Sequence, residues 1–242
     1  MKNVKTVLLI LSVILILSGC TEKGQSSGCD LFDDCGETVV ESQDMNFKEK
    51  YEALNGLENS SGKIHRVLSI PEEHPFKVTE PKTVIDKFVK GETFYLYIGD
   101  EACPWCRANI EKAIEVSKKA GIDEIFYLEI WDDDGNEILR DQYKVKDGSL
   151  VKSFEGTDSY QRLLGYLGEF LDDYTVEYDD GKKYDTGEKR IYVPSYFYIE
   201  NGKAIRFTDA TPDQLEDPRE ELSEEILNKE TEMFTELFDV KE

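Results

Sequence analysis

Two cysteines sit where a strand gives way to a helix, and no other feature restricts the architecture of this chain as much. Thr93 to Ile98 is a short run of aromatic, aliphatic and β-branched residues, the composition of a buried strand. Gly99 and Asp100 break it, and Cys103-Pro104-Trp105-Cys106 follows at once. Pro104 suits the first turn of a helix, where its missing N–H is no loss. Cys106, Ile110, Ala113, Ile114 and Ser117 then recur at helical spacing until Gly121. The pattern predicts a strand, a tight loop, and a helix whose N-terminal end is Cys103.

The rest of the chain alternates in the same way. Ile64 to Ile70 alternates as a strand would, and Pro71 ends it. Val84 to Val89 has helical spacing, with Thr83 placed to cap it and Gly91 to close it. Glu124 to Trp131 predicts a further buried strand. Residues 132–156 are polar and read as an insertion. Its acidic run Asp132 to Glu137 misses the register of a calcium loop and reads as a solvated turn. Tyr160 to Tyr174 predicts an amphipathic helix, and Asp179-Asp180-Gly181 a small hairpin turn. Ile191 to Ile199 reads as a strand interrupted by Pro194, and Asn201-Gly202 turns it into Lys203 to Phe207. Asp217-Pro218 has the pattern that opens a helix, and Leu222, Ile226, Leu227, Phe234, Leu237 and Phe238 give that helix an apolar face. The expected class is α/β: a central mixed sheet flanked by helices, with the insertion ahead of the proline strand.

The N-terminus sets the compartment. Lys2 and Lys5 precede an apolar run from Val7 to Leu17, then Ser18, Gly19 and Cys20. Residues 1–19 therefore read as a secretory signal, too short for a membrane span of about 20 apolar residues. Leu17-Ser18-Gly19-Cys20 resembles the bacterial lipobox, which implies cleavage before Cys20 and a lipid on that cysteine. An ordinary signal or an uncleaved anchor is the alternative, and each leaves the rest of the chain outside the membrane. Residues 20–62 are rich in Ser, Gly, Glu and Asp and read as a tether, with the domain at 63–242. The net charge of −23 argues against nucleic acid and anionic head groups as partners. The expected location is the cell membrane, lipid-anchored and facing away from the cytoplasm. Of five cysteines, Cys20 is assigned to the lipid, and four remain in two local pairs. Cys29 and Cys35 read as a structural disulfide in the tether, with a second redox pair as the alternative.

Disulfide exchange needs a thiolate, and a helix N-terminus favours one. That position assigns Cys103 as the attacking sulfur and Cys106, one turn deeper, as the resolving sulfur. Pro104 stiffens the turn, and Trp105 offers a flat apolar contact for a partner peptide. The order of elements over 63–238, with the Cys pair opening the second helix, resembles the thioredoxin family. Tyr97 through Cys106 looks like its active-site loop, and Val193-Pro194 looks like its cis-proline site. The resemblance implies that Val193 presents backbone groups to a substrate and that the partners are protein thiols or disulfides outside the membrane. A membrane redox partner would recycle the pair, and no cofactor is called for. One departure stands out: many thioredoxins carry a buried acid six residues before the first cysteine, where this chain has Tyr97. Glu101 is nearer, but its loop position predicts a solvated side chain. The Cys-Pro-aromatic-Cys core is similar to that of glutaredoxins, and the loop loosely resembles that of bacteriocin-transport accessory proteins. The alternatives are a non-catalytic binding or accessory module with a buried disulfide, and a zinc site drawing on Cys29, Cys35, His65 or His74.

Overall fold

In the computed structural model, which describes residues 46–130, 139–178 and 181–239, helices and strands alternate from Asn46 onward. The first half contains α1 (Phe47–Ala53), β1 (Phe76–Thr79), α2 (Pro81–Lys90), β2 (Phe94–Gly99), α3 (Pro104–Lys119) and β3 (Ile125–Glu129). The second contains β4 (Gln142–Lys146), β5 (Ser149–Phe154), α4 (Asp158–Leu167), β6 (Asp172–Glu177), β7 (Lys183–Arg190), β8 (Ser195–Glu200), β9 (Lys203–Thr208) and α5 (Glu224–Phe238). The expected signal 1–19, Cys20, Cys29, Cys35, the acidic run 132–137 and Asp179-Asp180 lie outside the described residues. Among the described residues, no helix is long and apolar enough to cross a membrane.

Five strands form the central sheet in the order β1-β3-β2-β8-β9. β1, β3 and β2 are parallel, whereas β8 and β9 run antiparallel, so the sheet is mixed as expected. β2 lies in the middle and is buried on both faces, which explains its nearly unbroken apolar composition. Successive strand side chains point to opposite faces. Phe94, Leu96 and Ile98 accordingly join α2 and α4 in one core, through Val84, Ile85, Phe88, Leu163 and Leu167. Tyr97 joins α1, α3 and α5 in the other, with Phe47, Ile110, Phe234 and Leu237.

The chain departs from the sequence reading in five places, one being α2, which starts at Pro81 after Glu80, so that Thr83 lies inside the helix and does not cap it. The ordered unit starts before residue 63. Asn46 caps α1 by accepting from the Glu49 N–H at 3.0 Å, and Glu49 Oε2 accepts from the Asn46 N–H. Phe47 and Tyr51 are fully buried, so the stretch read as the end of a tether is part of the core. Ile64 to Ile70 is not a sheet strand: Leu68 and Ile70 are buried from an extended segment, and only Ile64 forms a bridge, to Glu58. The parallel edge strand is β1 instead. The helix read over Tyr160 to Tyr174 stops at Leu167, and Tyr174 belongs to β6. Pro218 does not open the last helix. Ser223 does, its Oγ accepting from the Ile226 N–H.

From Leu139 onward, the segment read as an insertion is built. β4 and β5 form one hairpin and β6 and β7 a second, as the turn at Gly181 suggested. Arg190 donates to the Asp141 carbonyl at 2.7 Å, and Arg140 to the Ile191 carbonyl at 3.1 Å. The hairpins thereby brace the chain just ahead of Val193-Pro194.

α5 carries one anomaly. Glu230 is wholly buried, and neither of its carboxylate oxygens has a partner among the described residues. Burial outweighs the opposing charges of Lys112 and Arg66 and pushes its carboxyl up to about 7. The folded chain then holds this proton at pH values where the unfolded chain has lost it. Stability falls as pH rises from about 4.5 through about 7. Glu230→Gln should therefore raise the melting temperature relative to wild type more at pH 8 than at pH 5, by the equivalent of about 1–2 kcal/mol. Phe47 stacks on Phe76 at 4.4 Å and meets Tyr127 edge-on at 4.9 Å. Phe47→Ala should cost roughly 3–5 kcal/mol in urea unfolding. Leu57→Ala, at an exposed position of the same segment, should cost less than about 0.5 kcal/mol. Equal costs would mean that α1 is not docked.

Candidate functional site

The loop between β2 and α3 positions both sulfurs. Asp100 folds it: its carboxylate accepts from the Ala102 N–H at 2.8 Å and its carbonyl from the Cys103 N–H at 3.1 Å. Cys103 is the N-cap of α3, with extended backbone angles, and its carbonyl accepts the first helical bond from the Arg107 N–H. Pro104 occupies the first turn, as its missing N–H allows. No disulfide joins Cys103 and Cys106 in this structure.

The two sulfurs occupy different environments. Cys103 is half-buried, and the Cys106 thiol beside it lowers its pKa. The backbone N–H groups of Cys106 and Trp105, at the positive end of the helix, act in the same direction, against burial and the Asp100 charge. Cys106 is 0% exposed, and burial, followed by the neighbouring Cys103, pushes its thiol well up. The arrangement can therefore present a thiolate at Cys103 while keeping the proton on Cys106.

Val193-Pro194 meets them from the start of β8, the strand paired with β2. The Val193–Pro194 bond is cis. Pro194 is buried, and the next residue, Ser195, donates to the Tyr192 carbonyl at 2.6 Å. Cys103 Sγ donates to the Val193 carbonyl at 3.7 Å. Tyr192 is exposed directly beside this loop. The structure thus brings together Cys103, Cys106, Pro104, Trp105, Val193 and Pro194, which are spread over ninety residues of sequence.

Sequence reasoning missed what lies behind the sulfurs. Arg107, next to Cys106, is fully buried. Its Nε donates to the Arg66 carbonyl and its Nη1 to the carbonyls of Tyr51 and Glu101, at 2.8 and 3.0 Å. Its Nη2 donates to Asn55 Oδ1 at 2.7 Å and again to Arg66. All five donors of the guanidinium are used. Nothing in a lone arginine after a cysteine distinguishes this role from a solvated helix charge.

Tyr97 lies beneath Cys106 in a cluster with Tyr51, Tyr127 and Tyr196, stacked on Tyr196 at 4.3 Å and Tyr127 at 5.1 Å. Its ring runs along its own strand over Gly99. A Cβ at Gly99 would come within 2.3 Å of the Tyr97 hydroxyl, so only glycine leaves room for it. Glu101 is not the solvated side chain expected. It is half-buried, its Oε2 is sealed from solvent, and burial and then Glu129 raise its carboxyl to about 7.

In comparisons with known proteins, no family model matches this chain and no curated protein matches it significantly.

The contrast between the sulfurs is measurable. At pH 7 Cys103 should alkylate at least about tenfold faster than Cys106, with a midpoint below the ordinary cysteine value of about 8.5. Peptide mapping after brief iodoacetamide treatment reads both. Equal labelling, or a Cys103 midpoint matching the unfolded chain, would remove the contrast.

Proposed function

We propose that the chain is a thiol–disulfide oxidoreductase of thioredoxin-like architecture. It works outside the cytoplasm, held at the membrane by a lipid on Cys20. The observation that carries the reading is the pair of unlike sulfurs. A half-exposed, activated thiol at a helix N-cap stands against a buried, protonated one at the next turn. The mixed sheet and the cis Val193-Pro194 loop packed against Cys103 support the fold assignment.

The Cys103 thiolate attacks a partner disulfide, forming a mixed disulfide and releasing the partner's second sulfur as a thiolate. Cys106 then attacks Cys103, the bond to the partner breaks, and the electron pair leaves with the partner. The partner is reduced and Cys103–Cys106 is oxidised. Run backward, the same steps oxidise a dithiol. A partner strand laid beside Val193 would take over the carbonyl that Cys103 now uses. Trp105, partly exposed, and Tyr192, exposed, provide aromatic surface. A membrane redox partner resets the pair. The Cys29–Cys35 disulfide belongs to the segment between the lipid and the domain.

Insulin reduction by dithiothreitol tests the proposal. Wild type should accelerate precipitation, and Cys103→Ser should lose the acceleration completely. Cys106→Ser should instead accumulate a mixed disulfide, seen as a mass increase. If wild type and Cys103→Ser precipitate insulin at the same rate, and both are equally unable to refold a reduced substrate protein, the chain is not an oxidoreductase.

A further inference from the structure

A line of hydroxyls leads away from the buried resolving sulfur. Tyr97 shares the core with Cys106 and acts to lower its pKa, and the Tyr97 hydroxyl oxygen lies 2.7 Å from Tyr51 Oη. Tyr51 also packs against Tyr127, with ring centroids 5.9 Å apart. Tyr127 in turn donates to Glu129 Oε1 at 3.3 Å. Glu129 lies against Glu101, whose Oε2 is buried without a hydrogen-bond donor among the described residues. Two carboxyl groups in contact are satisfied when one proton is shared between them.

We propose that Tyr97, Tyr51 and Tyr127 relay the Cys106 proton to and from the Glu101–Glu129 carboxyl pair. The proposal rests on the disulfide-exchange reading above and says how its second step is completed. Cys106 is sealed from water and holds its proton tightly, yet it must be a thiolate to attack. As its S–H bond breaks, the proton passes to the Tyr97 oxygen, and each hydroxyl hands its own proton onward. The carboxyl pair, having released its shared proton to solvent, takes up the last one. The Cys106 electron pair forms the bond to Cys103, and the bond from Cys103 to the partner sulfur breaks. The partner leaves as a thiolate and is protonated by water. Glu101 and Glu129 are each partly exposed, so the pair exchanges its proton with solvent. In the oxidising direction every transfer reverses.

The surroundings of the pair suit the task. Lys50 of α1 donates to Glu129 Oε2 at 2.9 Å. Arg107 of α3 holds the Glu101 backbone, Tyr127 stands beside Glu129 on β3, and Asp100 adds a repelling charge from the same loop. A carboxyl that titrates at about 7 can accept and return a proton near neutral pH. Tyr196, stacked on Tyr97, leads away from the carboxyl pair, since its hydroxyl donates to Asn109 Oδ1 at 2.8 Å.

Stopped-flow mixing of the reduced protein with dithiobis(nitrobenzoate) separates the two steps, since each releases one coloured thiolate. The first phase reports attack by Cys103 and the second resolution by Cys106. Tyr51→Phe should slow the second phase roughly tenfold or more and leave the first unchanged. Glu101→Gln should abolish an inflection near pH 7 in the second-phase rate profile. Tyr196→Phe, which removes a hydroxyl from the same cluster, should resolve at the wild-type rate. The relay is overturned if Tyr51→Phe and Glu101→Gln keep the wild-type second phase and pH profile, or if Tyr196→Phe slows it as much as Tyr51→Phe does. Absence of a fast first phase in wild type would instead overturn the exchange reading itself.

Discussion

The site depends on one buried guanidinium. Arg107 projects from the first turn of α3 into the space between α1, the extended segment at Arg66 and the loop that carries the cysteines. A charge removed from water is tolerable only when its hydrogen-bonding capacity is met, and here every N–H has an acceptor. Three of the four acceptors are backbone carbonyls and the fourth is Asn55 Oδ1, all in segments that no sheet holds. A single side chain therefore ties α1 to the entry of α3. It is also why α1 reaches the site at all: Tyr51 contributes its carbonyl to Arg107 and its hydroxyl to Tyr97.

A second constraint comes from the sheet. β2 is covered on both faces, so its side chains must suit two different cores. On the α3 face the strand places Tyr97 under Cys106, where a carboxylate would be costly to ionise. A hydroxyl is cheaper to bury, and it both donates and accepts. The neighbouring tyrosines carry that capacity sideways to β3, where carboxyl groups sit near solvent. Gly99 is part of the same solution, since the Tyr97 ring lies over its Cα.

Much of this was legible locally. Gly91, Gly121 and Asn201-Gly202 adopt the left-handed angles that their place in the sequence implies, and they end the elements that they were read as ending. β2, α2, α3 and the β8–β9 hairpin follow from such punctuation together with hydrophobic period. The misreadings share a cause. Ile64 to Ile70 alternates because Leu68 and Ile70 face a core, which burial alone demands and strand pairing does not. Apolar residues continue from α4 into β6 because both are covered, so period could not mark the boundary at Leu167. Asp217-Pro218 has the chemistry of a helix start but forms a turn whose Pro218 carbonyl accepts from Arg66. Phe47 and Tyr51 complete the core from a stretch whose polar surroundings read as tether.

By itself, the sequence determined the placement of the cysteine pair: two thiols after a strand, the first at a helix start. Those properties are local, since a glycine, a proline and a three-residue spacing act through the backbone beside them. The tertiary structure decided what surrounds the pair. It set the pKa contrast between the sulfurs, the meeting of Cys103 with Val193, the burial of Arg107 and the route from Cys106 to Glu101. Each of these depends on groups from distant segments lying within a few ångströms of one another. Burial and contact of that kind are properties of the packed chain, and no window of sequence contains them.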